Sequence, residues 1–152
     1  MMVTASEMTA FLRHFADAYA LWMQPLNRLY ALPPNGLDIL LFLANNPGRD
    51  TAGDICRYRH LKPGLISVTV EKLVQAGYLQ RQTMPGDRRK DRLVCTPNAD
   101  EIIRRGREYQ AAFAKRFNCG LTEAEIACAM HIFSVVDQNL MQIKEEDGNA
   151  AK

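Results

Sequence analysis

The chain has 152 residues, of which 47% are hydrophobic and 24% charged, and these are the proportions of an ordinary globular protein. This length suits one domain, or a small domain with helical extensions, and the composition argues against a disordered or fibrous protein. No apolar run approaches the roughly 18 to 20 residues that span a membrane, and charged residues interrupt the N-terminal segment, so we expect neither a membrane anchor nor a signal peptide.

The cysteines and histidines give no sign of a disulfide framework or a metal site. The four cysteines are widely separated and form no Cys-x-x-Cys pair, which is typical of reduced thiols: they are Cys56, Cys95, Cys119 and Cys128. The three histidines have no ligand partners at metal-binding spacing. Phosphate-binding glycine loops, nucleophile elbows and paired-acid motifs are also lacking. We therefore expect a cytoplasmic protein that is not an enzyme and that holds no metal or cofactor.

Positive charge is concentrated in the middle of the chain. The segment 57–92 carries nine Lys and Arg against three acidic residues, for a net charge of +6, whereas the rest of the chain carries −4. A basic middle within an acidic frame indicates a localised surface for a polyanion.

The first predicted element is a long helix from Ser6 to about Tyr30, because apolar residues recur at alternating spacings of four and three. Pro25 lacks a backbone N–H, so we expect it to kink this helix or end it early. After the break at 33–36, Leu37 opens a second apolar helix that stops at Asn45.

A helix-turn-helix is predicted next. Thr51 and Asp54 have the spacing of a capping box at the start of a short helix that runs to about Tyr58. Pro63 suits the first position of the following helix, and Gly77 suits its C-terminal cap. The buried face of this second helix has helical spacing and consists of Ile66, Val70, Leu73 and Val74.

A β-hairpin then replaces the helical pattern. Its predicted strands are 78–83 and 92–96, separated by Pro85 and Gly86, with a basic tip that carries Arg88, Arg89 and Lys90. A hairpin directly after a helix-turn-helix is a wing. Two helices follow: the first has an apolar stripe from Ile102 to Phe117, and a capping box of Thr122 and Glu125 opens the second.

This order of elements resembles the winged-helix regulators of the multiple antibiotic resistance regulator (MarR) family. The most specific likeness is the wing sequence Gly86-Asp87-Arg88-Arg89 followed by Leu93 and Thr96, although Cys95 stands where the family has leucine and 97–99 differs from its usual charged turn. The helix before the wing is similar to the family's recognition helix at Ser67, Val70, Leu73 and Gly77. Val68 departs from the family, which often has arginine there.

The resemblance implies a mostly α (α+β) fold. It implies a single MarR-like chain over 1–152, with a winged helix-turn-helix DNA-binding part at 33–97 and a helical dimerisation part formed by 6–31 and 98–144. It also implies a homodimer that binds double-stranded DNA at a pseudo-palindromic operator and acts as a ligand-responsive repressor.

The predicted DNA-binding residues lie on the recognition helix and the wing: Lys62, Gly64, Leu65, Ser67, Val68, Lys72, Arg88, Arg89 and Lys90. Leu65 and Val68 have the apolar character that reads thymine methyl groups. An arginine at the wing tip can enter the negative minor groove, and the resemblance favours Arg89 for this role and Arg88 for a phosphate contact.

An effector site is also predicted, for a small aromatic or amphipathic anion, although its residues could equally be core and interface: Tyr19, Trp22, Met23, Arg28 and Tyr30. Two other functions remain open. One is a thiol-based redox sensor of the same fold, with Cys56 or Cys119 as the less buried candidates and Cys128 buried in the last helix. The other is a winged-helix module for protein interaction, with Leu65 and Val68 as its apolar patch.

Overall fold

A computed structural model describes residues 4–84 and 87–150, and within these ranges it describes 84–90 and 146–150 by their backbone alone. The elements, in chain order, are α1 (Ala5–Leu29), α2 (Gly36–Asn45), α3 (Ala52–Arg59), α4 (Pro63–Gln75), β1 (Leu79–Met84), β2 (Asp87–Cys95), a 3₁₀ turn (Pro97–Ala99), α5 (Asp100–Phe117) and α6 (Glu123–Ala150). This order confirms the predicted mostly helical winged-helix fold. The chain divides into two compact units, one up to Phe113 and one from Ala114 onward.

The first helix continues through its proline. Pro25 lies inside α1, which runs to Leu29, so the early end that Pro25 could have caused does not occur. Met23 and Leu26 on either side are 5% and 0% exposed, and their burial in the core holds the turn in which the proline removes a hydrogen bond. At the other end, Thr4 and Glu7 form a capping box that the sequence analysis did not identify.

The core of the first unit is built around α2. Every residue of this helix from Gly36 to Leu43 is buried except Asp38, as expected for a central helix rather than a surface one. The other fully buried side chains come from all the surrounding elements: Leu26, Ile55, Ile66, Val70, Leu73, Leu79 and Ile102. Because each such side chain contributes roughly 1.5 to 3 kcal/mol on burial, this core fixes α3 and α4 against α2.

The ends of the helix-turn-helix follow the capping predictions. The Thr51 hydroxyl accepts a hydrogen bond from the Asp54 N–H at 3.1 Å, and the Asp54 carboxylate accepts one from the Thr51 N–H at 3.1 Å. α3 ends at His60, which has a left-handed backbone with φ of 51°, and α4 begins at Pro63 as predicted. These caps satisfy backbone groups that α3 and α4 cannot pair internally.

The predicted glycine cap of α4 is confirmed. Gly77 has φ of +76°, a conformation that costs glycine little. The N–H of Tyr78 bonds to the carbonyl of Leu73 and the N–H of Gly77 to that of Val74, both at 2.9 Å, which is the Schellman pattern. The chain therefore leaves the recognition helix in a fixed direction toward β1.

The wing strands are antiparallel, and the second is longer than predicted. β2 begins at Asp87 rather than Arg92, so residues expected in the tip belong to the strand. Asp91 pairs with Thr83 across the ladder, and the register is irregular between Thr83 and Met84. Backbone pairing needs no apolar alternation, which is why the polar segment 87–91 was not recognised as strand. The predicted turn at 85–86 lies outside the described residues.

The wing is attached to the segment before α3. The backbone N–H of Leu93 donates to the carbonyl of Asp50 at 2.7 Å, and Thr51 forms an isolated antiparallel bridge with Arg92. The Arg92 guanidinium also donates to the Asp50 carboxylate, with Nε at 2.7 Å. This hydrogen bond raises the pKa of Arg92 above its ordinary value. We call this set of contacts the wing tie.

The second unit consists mainly of α6. Thr122 and Glu125 form the predicted capping box, with the Thr122 N–H donating to the Glu125 carboxylate at 2.7 Å. This bond lowers the pKa of Glu125. Large apolar side chains along α6 are exposed: Met130, Ile132, Phe133, Val135, Val136, Leu140, Met141 and Ile143. Among the described helices, none is both long enough and apolar enough to cross a membrane.

Candidate nucleic-acid interface

The outer face of α4 presents the residues predicted to read DNA. Leu65 is 41% and Val68 55% exposed, although large apolar side chains are usually buried. The inner face holds Ile66 and Leu73, which are 1% and 0% exposed. All six predicted recognition-helix residues are exposed: Lys62, Gly64, Leu65, Ser67, Val68 and Lys72. The structure thus places them together on one accessible surface.

A buried threonine holds this helix in place, and the sequence analysis missed it. Thr69 is 2% exposed, and its hydroxyl lies 2.9 Å from the carbonyl oxygen of Leu65 and 3.3 Å from that of Pro34. Its position three residues after Ile66 placed it on the buried face and was the available signal. The contact with Pro34 connects the recognition helix to the segment before α2.

The recognition helix also contacts the wing. The carboxylate of Glu71 lies 3.4 Å from the guanidinium of Arg81 in β1, and it accepts a hydrogen bond from the Gln75 amide at 3.2 Å. These polar contacts are exposed, so they contribute more to orientation than to stability. The side chains of the predicted wing-tip residues Arg88, Arg89 and Lys90 lie outside what the structure describes, and their DNA contacts stay predictions.

Arginines and an aromatic ring form a second basic surface next to the recognition helix. The guanidinium carbons of Arg49 and Arg57 lie 4.1 Å and 5.8 Å from the centre of the Tyr58 ring, within range of cation–π attraction. The ring is 40% exposed and packs on Phe42 with centroids 6.1 Å apart. We call Arg49, Arg57 and Tyr58 the Tyr58 cluster. No feature of the sequence analysis assigned it.

A cavity of about 660 Å³ lies in the first unit between α1 and α2, with Arg59 and Gln110 completing its wall. Of the predicted effector residues, Tyr19 and Met23 line it. The Tyr19 hydroxyl accepts a hydrogen bond from the Gln110 amide at 2.8 Å, which positions the phenol at the wall.

The other predicted effector residues are not among the residues that line this cavity. The indole N–H of Trp22 donates to the carbonyl of Tyr109 at 3.0 Å, so this side chain joins α1 to α5. Tyr30 hydrogen-bonds to Arg105 and raises the pKa of that guanidinium. Arg28 is exposed in the last turn of α1.

An ion pair forms part of the cavity wall. The Arg59 Nε lies 3.3 Å from a carboxylate oxygen of Asp38, and the guanidinium also covers the ring of Phe42 at 5.1 Å. Burial raises the pKa of Asp38, and the charge of Arg59 partly offsets this increase. Sequence reasoning did not find this pair, because its members are separated by twenty-one positions and belong to different helices.

The thiols differ in accessibility. Burial is the main cause that raises the pKa of Cys95, so this thiol is a poor nucleophile. Cys119 is exposed as expected, whereas Cys128 is exposed rather than buried, because that face of α6 is uncovered in the single chain. The described residues contain no group of three or more His, Cys, Asp or Glu side chains able to hold a metal ion.

A helix-turn-helix with an exposed recognition face and an attached wing defines a winged-helix protein of the DNA-binding regulator class. The sequence profile of the MarR family matches residues 32–90, which cover this helix-turn-helix and most of the wing. That segment belongs to the MarR family, and the resemblance inferred from the sequence is confirmed.

Solved structures extend the likeness to nearly the whole chain. Transcriptional regulator PA3341 is 22% identical, with 89% of this chain and 98% of that chain covered and a TM-score of 0.77. A MarR protein from Peptoclostridium difficile is 15% identical, with 92% of each chain covered and a TM-score of 0.79. A MarR transcriptional regulator from Methanosarcina mazei Go1 is 16% identical, with 90% and 99% covered and a TM-score of 0.75. At these identities the likeness shows a shared fold.

Proposed function

We propose that this protein is a homodimeric, ligand-responsive transcriptional repressor that binds a pseudo-palindromic DNA operator. The observation that carries the proposal is the outer face of α4, where Leu65 and Val68 are exposed beside Lys62, Ser67 and Lys72. A helix of this kind fits the major groove, where apolar groups contact thymine methyls and basic groups contact phosphates.

Dimerisation is supported by apolar surface that the single chain leaves uncovered. Along α1, the side chains of Phe11, Leu12 and Leu21 are 43%, 57% and 68% exposed, and α6 carries the larger exposed set described above. Burial of both surfaces against a second copy would place two recognition helices about 34 to 36 Å apart, one turn of DNA. Light scattering should give twice the mass of 17.2 kDa at micromolar concentration, and a stable monomer would contradict this assembly.

The cavity of the first unit is the proposed effector site. Tyr19 and Met23 offer aromatic and apolar contact, and Arg59 offers a cationic group, which together suit an aromatic or amphipathic anion. Such an anion would compete with Asp38 for Arg59, three residues before the N-terminal cap of α4. A panel of phenolic acids should raise the melting temperature and release DNA. Met23→Trp, which fills the cavity, should abolish both effects, whereas Arg28→Gln outside it should abolish neither.

The main experiment is selection of bound fragments from random DNA, followed by sequencing and by binding measurements on the selected site. Val68→Ser and Leu65→Ser should weaken binding to the selected site more than to unrelated DNA. Gln75→Ala, exposed two turns further along the same helix, is the matched control. If folded protein selects no DNA, a winged-helix module for protein interaction becomes the better interpretation.

A thiol-based sensor of the same fold is the second candidate, favoured by the exposure of Cys119 and Cys128. Peroxide should then modify one of these thiols and release the selected DNA. The variant Cys119→Ser with Cys128→Ser should prevent that release. Release that persists in this variant, or DNA binding unaffected by peroxide, would reject the sensor.

A further inference from the structure

We infer that the Tyr58 cluster is an additional phosphate-binding site, which contacts the DNA backbone beside the groove that α4 enters. The inference rests on the proposed DNA binding and adds a contact surface outside the recognition helix and the wing. It assigns Arg49 and Arg57 as the phosphate-binding groups and Tyr58 as the platform that positions them.

The geometry suits an anion with several oxygen atoms. Arg49 lies over the ring of Tyr58 at 4.1 Å, and Arg57 is also within cation–π range of the same ring at 5.8 Å. A guanidinium stacked on a ring keeps its N–H edge available, and that edge matches two phosphate oxygens. Tyr58 is itself supported from below by Phe42, so the platform is attached to the core.

The charge state of the cluster distinguishes it from other arginines of the described chain. Arg59, Arg81, Arg92 and Arg104 each form a salt bridge with a carboxylate. Within residues 4–84 and 87–150, no described carboxylate lies within salt-bridge distance of Arg49 or Arg57. Two positive charges held side by side without a partner repel each other, and a phosphate would relieve that repulsion.

The position of the cluster brings it within reach of DNA. Arg57 precedes Lys62, the N-terminal cap of α4, by five residues, so their Cα atoms lie at most about 17 Å apart. The major groove is about 12 Å wide, so a helix N-terminus seated in it lies between two phosphate backbones. Exposed His60 and Lys62 fill the interval with further groups able to face a phosphate.

The test is the salt dependence of binding by the full chain to its selected DNA. Arg49→Gln and Arg57→Gln should each lower the slope of log affinity against log salt by about one unit per protomer. The fall in affinity between 50 and 200 mM salt would then be about fourfold smaller for each arginine replaced. Binding to unrelated DNA should weaken as well, because a phosphate contact carries no sequence information.

Three further variants separate a binding role from a structural one. Tyr58→Phe keeps the ring and should bind as the wild type does, whereas Tyr58→Leu should weaken binding with the arginines still present. Arg104→Gln removes the same charge from an arginine already paired with Glu101 and Glu108, and it should leave the slope unchanged. Arg49→Lys should retain the slope and reduce affinity, because lysine lacks the paired N–H edge.

The outcomes distinguish this inference from the function on which it rests. If the wild type binds DNA and the folded Arg49→Gln and Arg57→Gln variants keep its slope, the cluster does not bind phosphate while the proposed function stands. If the folded wild type binds no DNA, the proposed function fails and the inference fails with it. Melting curves for each variant identify any loss of binding that follows from unfolding.

Discussion

The contact between α5 and α2 offers a sharp test of the packing. Gly106 is buried, and a Cβ atom at this position would lie 2.7 Å from Cδ2 and 3.0 Å from Cδ1 of Leu41. Carbon atoms in ordinary contact are about 3.5 to 4.0 Å apart. Gly106→Ala must therefore move the end of the Leu41 side chain, which is 1% exposed, by about 1 Å.

Two opposing effects set the magnitude. Insertion of a carbon into a packed core typically costs about 1 to 3 kcal/mol. Alanine in place of glycine inside a helix contributes about 0.8 to 1.0 kcal/mol in the favourable direction. Leu41 also lines the cavity, which gives its methyl groups room to move and keeps the packing cost below its upper limit. We expect Gly106→Ala to lower the free energy of unfolding by about 1 kcal/mol.

The assay is urea denaturation at one fixed protein concentration, in the wild-type background and in Leu41→Ala. Leu41→Ala alone should cost about 2 to 5 kcal/mol, and it removes the methyl groups that a residue at position 106 would meet. In that background Gly106→Ala should stabilise the protein by about 1 kcal/mol. An equal loss of stability in both backgrounds would refute the proposed contact with Leu41.

Three other predictions concern single residues. Val68→Arg should create a preference for guanine at one position of each half-site, whereas the wild type should favour A·T-rich sites with thymine there; selection of DNA by both proteins compares them. Thr51→Ala should cost about 1 kcal/mol in urea denaturation, because the N-terminal N–H groups of α3 lose their cap, and an unchanged midpoint would contradict this. Folding raises the pKa of Asp38, so stability should fall as pH rises from its ordinary pKa of 3.8 through the folded value, and Asp38→Asn should remove that decrease.

The ends of helices could be predicted from the sequence because they depend on neighbouring residues. The boxes at Thr51 and Thr122 and the glycine cap at Gly77 involve side chains within a few positions of each other, and the structure has all three. The Thr4–Glu7 box had the same signal and was overlooked. The outer face of α4 also followed from helical periodicity, which is a local property.

Contacts between distant segments could not be predicted in the same way. The Asp38–Arg59 pair and the contact between Arg49 and the ring of Tyr58 join residues from separate elements. Only the packing of α2 against α3 brings these groups together, and a single sequence contains no periodic trace of it. Trp22 illustrates the opposite error: its aromatic character suggested a ligand, but its N–H is used by the Tyr109 carbonyl.

The wing tie has a consequence for the arrangement of bases within an operator. Because Asp50 and Thr51 fasten β2 to the start of α3, the wing and the helix-turn-helix form one stiff reading head. The distance between a major-groove contact and the neighbouring minor-groove contact is then constant within each half-site. Variation in spacing would be absorbed only between the half-sites, where two copies of the chain meet. Regulated promoters would accordingly share rigid half-site words, separated by a gap whose length reports the flexibility of the dimer.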